Sequence, residues 1–371
     1  MVAMEIPPDQ VLFATGGYDH TIRFWAAYNG QCQRTVQHPD SQVNAMELTP
    51  DRRLLAVAGF QHIRTYDIPG SVNNTNPIAC YEGVAKNINA VGFFEHVTPS
   101  SMLMFTGGED GSIRIWDLRM KHNNHQVARL QPSNCSINTV ALHPNQNQLI
   151  SGDANGSLHI WDWRMTSRDK QGKEKHVFDS FLVDVDTSIQ HLSIEGQGTS
   201  LACVDNKGRC CVFQLMGREP SNPTSLATLK ERPLKFVAHS KYVLKCKFSP
   251  DSTLLATTSA DHTAKIWRTA DLLPLNVAAG EELSTPTPLS CGSTPVVATA
   301  SDNLKPQMVL KNTNQRWVWD VAFSNDSQYV LTGSSDTVAR LWNINSGENI
   351  REYSGHQKAI TAIAFSDGIA I

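Results

Sequence analysis

The chain has 371 residues, of which 40% are hydrophobic, and it carries 32 Lys and Arg against 35 Asp and Glu. A near-neutral chain lacks the basic excess that phosphate binding needs, so nucleic acid is not expected as the main partner. No stretch reaches the roughly eighteen apolar residues of a membrane span, residues 1–10 contain no basic residue, and the eight cysteines form no CxxC pair. We therefore expect a cytoplasmic protein with reduced thiols and no direct membrane insertion.

One pattern recurs along the whole chain. Each copy is a short apolar run, a tight polar turn and an alternating segment that closes on an aromatic residue, as in GGYDHTIRFW, GGEDGSIRIW and SADHTAKIW. The closing aromatics, in chain order, are Trp25, Tyr66, Trp116, Trp161, Phe213, Trp267 and Trp342. Most are separated by close to the roughly 40–45 residues of a four-stranded WD blade. Alternation bounded by Gly, Pro, Asn and Asp predicts strands and hairpins rather than helices.

A further strand precedes each of these hairpins, with an apolar-x-x-apolar pattern and a polar turn after it, as at residues 43–48, 137–142, 243–248 and 318–323. The chain begins inside a repeat, at a second strand over residues 11–16, and ends on a first strand over residues 360–365. Pairing of these two strands would remove the exposed edges. The sequence therefore predicts an all-β chain with a single domain over residues 1–371, a seven-bladed WD-repeat β-propeller closed by its terminal strands.

Aspartates recur in the polar turns, where Asp can bind backbone N–H groups. In WD blades such an Asp also accepts a hydrogen bond from a His of the preceding loop, and a Ser or Thr links that His to the Trp N–H. The predicted structural network comprises His239, Ser259, Asp261 and Trp267 in one blade, and His356, Asp19 and Trp25, Asp110 and Trp116, and Asp336 and Trp342 in others. A catalytic Ser–His–Asp set is the alternative, but recurrence around a ring without an oxyanion motif favours the structural interpretation.

Enzymatic motifs of the common nucleotide-binding, zinc-protease, hydrolase and kinase types are absent from the sequence. We therefore expect a protein that is not an enzyme and that has no cofactor and no catalytic or metal-binding residue. Two polar stretches, residues 165–180 and 270–314, interrupt the repeat and are predicted to be long loops. The second, which contains several Thr-Pro steps, is predicted to be disordered.

Several segments resemble one family beyond the generic repeat, among them TVQHPDSQVNAMELTPD, HSKYVLKCKFSPDSTLLATTSADHTAKIWRT and REYSGHQKAITAIAF. They are similar to the small WD-repeat subunit of the target-of-rapamycin (TOR) kinase complexes, and the resemblance covers nearly the whole chain. It implies a non-catalytic scaffold that binds the catalytic domain of the TOR Ser/Thr kinase in both complexes and stabilises it in nutrient and growth signalling. It also implies a propeller that is itself monomeric, contacts the other subunits through the kinase, and reaches the lysosomal surface with it.

Aromatic and amide residues that do not occupy the closing position of a blade mark one rim of the predicted ring. They lie at the start of the first strands, two residues further on, or just before the polar turns. The predicted kinase-docking face is Trp317, Trp319, Gln42, Asn44, Tyr18, Phe60, Asn87 and Tyr242, a composition typical of interface hot spots. The alternative is that the two tryptophans fill the central channel.

A second function remains open at this point. Residues 116–119 and 161–164 match the WDxR box of substrate receptors of cullin-RING ubiquitin ligases, although that box is loosely defined. A heterotrimeric G-protein β subunit would also fit the blades, but strands begin here by about residue 11, which leaves no room for the amino-terminal coiled-coil helix of that subunit.

Overall fold

A computed structural model describes residues 11–68, 76–94, 102–120, 126–131, 135–168, 174–216, 228–229, 233–272 and 304–367. These residues form seven antiparallel sheets, each built from four strands except for one with five. The all-β, seven-bladed propeller is therefore confirmed. No helix in the described ranges is long and apolar enough to span a membrane.

The blades are numbered from the amino terminus, and the strands in chain order. Blade 1 contains β1 (Leu12–Gly17), β2 (Thr21–Trp25), β3 (Cys32–Gln37) and, from the end of the chain, β29 (Ile360–Ser366). Blade 2 contains β4 (Ala45–Leu48), β5 (Leu54–Ala58), β6 (Ile63–Asp67) and β7 (Ala79–Tyr81). Blade 3 contains β8 (Ile88–Phe93), β9 (Leu103–Gly108), β10 (Ile113–Asp117) and β11 (Gln126–Leu130). Blade 4 contains β12 (Ile137–Leu142), β13 (Gln148–Asp153), β14 (Ser157–Arg168) and β15 (Glu174–Leu182).

The remaining blades follow the same plan. Blade 5 contains β16 (Ile189–Ile194), β17 (Ser200–Asp205) and β18 (Arg209–Met216), with β19 (Thr228–Leu229) and β20 (Leu234–Val237) both paired to β18. Blade 6 contains β21 (Val243–Phe248), β22 (Leu254–Ser259), β23 (Ala264–Arg268) and β24 (Met308–Leu310), and the short helix α1 (Thr269–Leu272) follows β23. Blade 7 contains β25 (Val318–Phe323), β26 (Tyr329–Ser334), β27 (Val338–Asn343) and β28 (Asn349–Ser354).

The ring closes in blade 1, as the sequence predicted. Strand β29 pairs with β1 in an antiparallel register from Leu12 opposite Ser366 to Gly16 opposite Ala362. The first strand of this blade therefore comes from the opposite end of the chain. Because the pairing covers what would otherwise be a free edge of β1, it protects blade 1 from pairing with other chains.

The core lies between consecutive blades rather than inside one compact cluster. The described residues contain seven apolar clusters, and each cluster joins side chains of two neighbouring blades. The second strands of blades 3, 4, 5 and 6 are buried along their whole length, because a blade packs against each face. Outer strands such as β3 alternate between exposed and buried residues, since one of their faces meets water.

Both predicted long loops need correction. Within residues 165–180, β14 and β15 continue as a hairpin, with Thr166 opposite His176 and Arg168 opposite Glu174. Polarity was a poor guide here, because a hairpin that leaves the blade edge is held by its backbone ladder and needs no apolar face. Within residues 270–314, β24 pairs with β23 and supplies the outer strand of blade 6. The expectation of disorder falls mainly on residues 273–303, which lie outside the described residues.

Candidate functional site

The rim that carries the predicted docking residues is built by a repeated backbone contact. In every blade except blade 2, the residue that follows the second strand donates its N–H to the carbonyl of the residue that precedes the first strand. Examples are Glu109 to Asn87 at 2.9 Å and Ala260 to Tyr242 at 3.0 Å. Ser335 donates in the same way to Trp317 at 2.9 Å. Turn residues and first-strand residues therefore alternate along one rim, where the sequence placed them.

A β-bulge lies at the second position of the first strand in most blades. The register shifts between Ile88 and Ala90, and the same shift occurs in blades 4, 5, 6 and 7, and in blade 1 between Gly16 and Gly17 of the partner strand. A bulged residue has no partner in the ladder, and the bulge changes the direction of its side chain. The bulged residues are Asn89, Asn138, Gln190, Leu244, Trp319 and Thr361. This bulge was not evident in the sequence, because it changes no residue type.

On one side of the ring the bulged side chains join neighbouring blades. The Asn89 amide donates to the Ile137 carbonyl at 3.0 Å, and the Asn138 amide donates to the Ile189 carbonyl at 2.8 Å. Asn44, at the same position in blade 2, donates to the Ile88 carbonyl at 3.2 Å. Thr361 in blade 1 donates to the carbonyl of Val43 at 2.5 Å. We call these four residues the amide side, although its blade 1 member is a threonine.

On the other side of the ring the bulged residues of blades 6 and 7 are apolar, namely Leu244 and Trp319, whereas Gln190 of blade 5 donates to Ser188 of its own blade at 3.1 Å. Trp319 lies at the bulge of blade 7, and its ring is 5.9 Å from Tyr18 and 5.8 Å from Trp317, measured between ring centroids. Trp317 is 40% exposed and Tyr242 is 55% exposed, and both line one depression of the surface. Tyr18, Trp319, Trp317 and Tyr242 therefore form one band across blades 1, 7 and 6, which we call the aromatic arc.

One polar atom of the aromatic arc lacks a partner. The Trp319 indole nitrogen is buried and makes no hydrogen bond to any described residue. A buried N–H without an acceptor costs free energy that a suitable acceptor on a partner could recover. Burial also raises the pKa of Tyr18, so this phenol stays protonated and available as a donor or acceptor.

The other predicted docking residues lie on the same rim but outside the arc. Phe60 is 45% exposed and forms an isolated bridge with Asn87. Gln42 is half-buried. The amides of Asn44 and Asn87 are already used within the protein, since Asn44 bonds to Ile88 and Asn87 donates to Glu109 at 3.1 Å. We therefore regard Asn44 and Asn87 as supports of the rim.

The buried network of blade 6 differs from the prediction in one residue. His239 Nδ1 lies 2.9 Å from Asp261, and His239 Nε2 lies 2.9 Å from the hydroxyl of Thr257, which also accepts the Trp267 indole N–H at 2.9 Å. Thr257 thus takes the role that was assigned to Ser259. Ser259 donates instead to the Tyr242 carbonyl at 2.8 Å, because it lies one strand repeat nearer the turn.

A spacing of ten residues between hydroxyl and tryptophan would have identified the linking residue. The indole N–H bonds a Thr or Ser ten residues earlier in five blades, in the pairs Thr15 and Trp25, Thr106 and Trp116, Ser151 and Trp161, Thr257 and Trp267, and Thr332 and Trp342. Blade 1 repeats the full network, with His356 at 2.7 Å from Thr15 and 2.9 Å from Asp19. His356 therefore serves the same blade as Asp19 and Trp25, as predicted.

Arginine replaces histidine as the partner of the turn aspartate in two other blades. Asp110 pairs with Arg114 at 2.6 Å, and Asp336 pairs with Arg340 at 2.6 Å. In blade 6, burial would raise the pKa of Asp261, but hydrogen bonds from His239 and Thr263 outweigh it and hold the pKa far below its usual range. Burial lowers the pKa of His239 despite the opposing effect of Asp261, so the imidazole is neutral at physiological pH. These groups stabilise the blades and are not exposed to a substrate.

Comparison with known proteins agrees with this architecture. The family model for the WD domain, G-beta repeat, matches residues 2–26, 75–117, 124–162, 230–268 and 304–343. The chain is 45% identical over 373 residues to the target of rapamycin complex subunit LST8 of Mus musculus, which covers 97% of this chain and 96% of that protein. It is 35% identical over 374 residues to the target of rapamycin complex subunit wat1 of Schizosaccharomyces pombe, with 99% of each chain covered. The chain belongs to the LST8 family.

In this member of the LST8 family the two WDxR boxes belong to the blades themselves. Trp116 and Trp161 are the buried closing aromatics of blades 3 and 4, and Arg119 folds back onto Asp117 at 2.7 Å. The hypothesis of a cullin-RING substrate receptor therefore gains no support from the structure or from the names of these relatives. In the described part of the chain, no cluster of His, Cys, Asp and Glu could hold a metal ion.

Proposed function

We propose that this chain is a non-catalytic scaffold subunit of TOR kinase complexes, and that the aromatic arc docks on the catalytic domain of the kinase. Two LST8-family relatives that align with nearly the whole chain are named as subunits of that complex. The observation that carries the docking proposal is the continuous band of Tyr18, Trp319, Trp317 and Tyr242 at one rim. The cytoplasmic location and the monomeric state of the free propeller remain predictions.

The composition of the arc supports an interface with a protein. Trp and Tyr dominate the hot spots of protein interfaces, because they bury a large apolar area with few rotatable bonds. Trp317 is exposed beside Trp319, whose indole N–H has no acceptor in the described residues. A partner that covers both rings would gain apolar burial and could supply the missing acceptor. Gln42 and Phe60 extend the rim toward blade 2 and would make weaker contacts.

The proposal is tested by co-purification of variants with the TOR kinase complex. Trp317→Ala should weaken binding by about 2 kcal/mol, which corresponds to about a 30-fold loss of affinity. Gln42→Ala should cost about 1 kcal/mol through lost hydrogen bonds. Because Trp317 is partly exposed, its removal should leave the melting temperature of the free propeller almost unchanged.

Tyr28→Ala supplies the matched control. Tyr28 is also an exposed aromatic, at 77%, but it lies in the turn between β2 and β3. That turn is at the opposite end of the blade from the turn between β1 and β2, which carries Tyr18. If Trp317→Ala co-purifies with the kinase as well as wild type and Tyr28→Ala do, the interface must lie on another face of the propeller.

A further inference from the structure

A depression of about 500 Å³ opens at the end of the aromatic arc, where blades 5, 6 and 7 meet. Its lining combines two exposed aromatic rings with amide, hydroxyl and ammonium groups. The lining residues are Asn206, Lys207, Ser240, Lys241, Tyr242, Ala260 and Trp317. We call this depression the lysine pocket. It is continuous with the arc, because Trp317 belongs to both.

The two lysines of the pocket are uncompensated. Both are exposed, and no carboxylate of a described residue forms a salt bridge with Lys207 or Lys241. Other cations near this rim are already paired. Arg209 binds Asp184 and Asp205 at 2.6 and 2.7 Å, and Lys245 binds Asp320 at 2.9 Å.

The acids nearest to the lysine pocket are also occupied. Asp205 caps the turn of blade 5, where it accepts from the backbone N–H of Lys207 at 2.8 Å and pairs with Arg209. Asp261 is held by His239. The pocket therefore presents positive charge beside the apolar rings of Trp317 and Tyr242, and no described carboxylate neutralises that charge.

The turn of blade 5 holds Lys207 in place. Gly208, which follows it, has a φ of 85°, and a Cβ atom there would collide with the His239 carbonyl oxygen. Only glycine fits this close approach between the turn and the loop that carries Ser240 and Lys241. The two lysines are thus displayed by two backbone segments in direct contact, from neighbouring blades.

We infer that the lysine pocket receives a carboxylate side chain of the docked partner, flanked by an apolar residue that packs on Trp317 and Tyr242. This inference rests on the proposed function, since it assigns the chemistry of the partner at one end of the same interface. A carboxylate fits better than a phosphate group, because the arginine next to the pocket is already used by two aspartates and cannot offer its bidentate fork.

Charge reversal tests the inference. Lys207→Glu combined with Lys241→Glu should lower the affinity for the TOR kinase complex about tenfold or more at low salt, because attraction becomes repulsion. The neutral pair Lys207→Gln and Lys241→Gln should give a smaller loss and should flatten the salt dependence of binding. Lys247→Glu is the control, since Lys247 is exposed on β21, the strand that follows Lys241, but lies near the end of that strand away from the rim. The melting curve of each free variant verifies that it is folded.

The outcomes separate this inference from the docking proposal. If the Glu and Gln pairs both bind like wild type while Trp317→Ala loses the kinase, the carboxylate assignment is overturned and the docking face stands. If Trp317→Ala also binds normally, both are overturned. Loss of wild-type binding after phosphatase treatment of the kinase complex would show that a phosphate group fills the pocket, which would likewise contradict the carboxylate assignment. Binding that survives phosphatase but falls with charge reversal would support it.

Discussion

The two sides of the ring use one backbone position for different purposes. On the amide side, Asn44, Asn89, Asn138 and Thr361 each bond a carbonyl of the next blade. On the aromatic side, Leu244 and Trp319 occupy the equivalent bulges and make no such bond among the described residues. There an ion pair joins the blades, because Asp320 binds Lys245 at 2.9 Å and also accepts the backbone N–H of Ile363 at 2.7 Å.

This difference shows that the residue type at the bulge position varies between the two sides of the ring. A bulge changes the direction of the side chain at this position whatever the residue type is. The repeat therefore keeps the bulge while the residue type varies. Because Asp320 already joins blade 7 to blades 6 and 1, the bulged residue of blade 7 is not needed for a bond between blades. The aromatic arc occupies that side of the ring. We conclude that the amide side mainly holds the ring together, and we propose that the aromatic side binds the partner.

The largest expected effect tests whether every tryptophan on the aromatic side belongs to the interface. Trp267 is buried in blade 6, packs 4.8 Å from Phe236 and donates to Thr257. Trp267→Ala should lower the free energy of unfolding by about 3–5 kcal/mol, mainly through lost packing. Denaturant unfolding of the free propeller measures this, and loss of kinase binding should track loss of folded protein. A variant that is fully folded and yet fails to bind would place Trp267 in the interface.

Blades 2 and 6 also differ in how a buried histidine is held, which predicts a pH dependence. In blade 2, His38 bonds Tyr66, and no aspartate among the described residues pairs with it as Asp261 pairs with His239 in blade 6. Burial, with smaller contributions from the charges of His62 and Arg64, lowers the pKa of His38 from 6.5 to about 3. Its contribution to stability is therefore complete above pH 6.5 and is lost progressively as the pH falls toward 3.

At pH 5 the loss attributable to His38 should be about 2 kcal/mol relative to pH 7. Urea unfolding at both pH values should show a smaller loss for His38→Gln, by about that amount, even though the variant is less stable at pH 7. Tyr66→Phe removes the hydrogen bond but keeps the titrating ring, so its pH dependence should resemble that of wild type. Equal pH dependence of wild type and His38→Gln would contradict the assignment.

Much of the fold was predictable because the sequence repeat indicates both the number of blades and the way in which the ring closes. The aromatic spacing gave seven blades, and the partial repeats at residues 11–16 and 360–365 gave the closure, which the pairing of β1 with β29 confirms. Less could be predicted where local polarity and tertiary pairing disagree. Met308–Leu310 is only three residues long within a polar stretch, and it forms a strand because β23 offers a free edge.

The site was predicted by residue type but not by bonding. Trp317, Trp319 and Tyr18 were placed on one rim correctly, because their positions follow from the strand register. The hydrogen bond from Asn44 to Ile88 depends on how blades 2 and 3 pack, which residue type does not reveal. The predicted network named Ser259, whereas Thr257 links His239 to Trp267. The lysine pocket was missed, since Lys207 and Lys241 lie in different blades and only the folded ring brings them together.

The smallest expected effect comes from the segment that connects α1 to β24 within blade 6. Leu272 and Leu304 pack in the same apolar cluster, so its two ends are held at one place. Replacing residues 276–302 with a short Gly-Ser linker should leave the melting temperature and the affinity for the kinase complex unchanged, because the arc and β24 remain intact. Co-purification side by side with wild type measures this. A clear loss of binding would show that the segment contributes to the interface.

The most direct test of the central claim compares two substitutions at the same bulge position, one on each side of the ring. Asn138→Ala and Trp319→Ala should be measured in parallel for stability by urea unfolding and for affinity by co-purification with the TOR kinase complex. Asn138→Ala should lose about 1 kcal/mol of stability through its hydrogen bonds and retain wild-type affinity once folded. Trp319→Ala should lose about 2 kcal/mol of binding free energy, a larger change than its loss of stability. Equal affinity of the two variants for the kinase complex would contradict the division of the rim into a side that holds the ring and a side that binds.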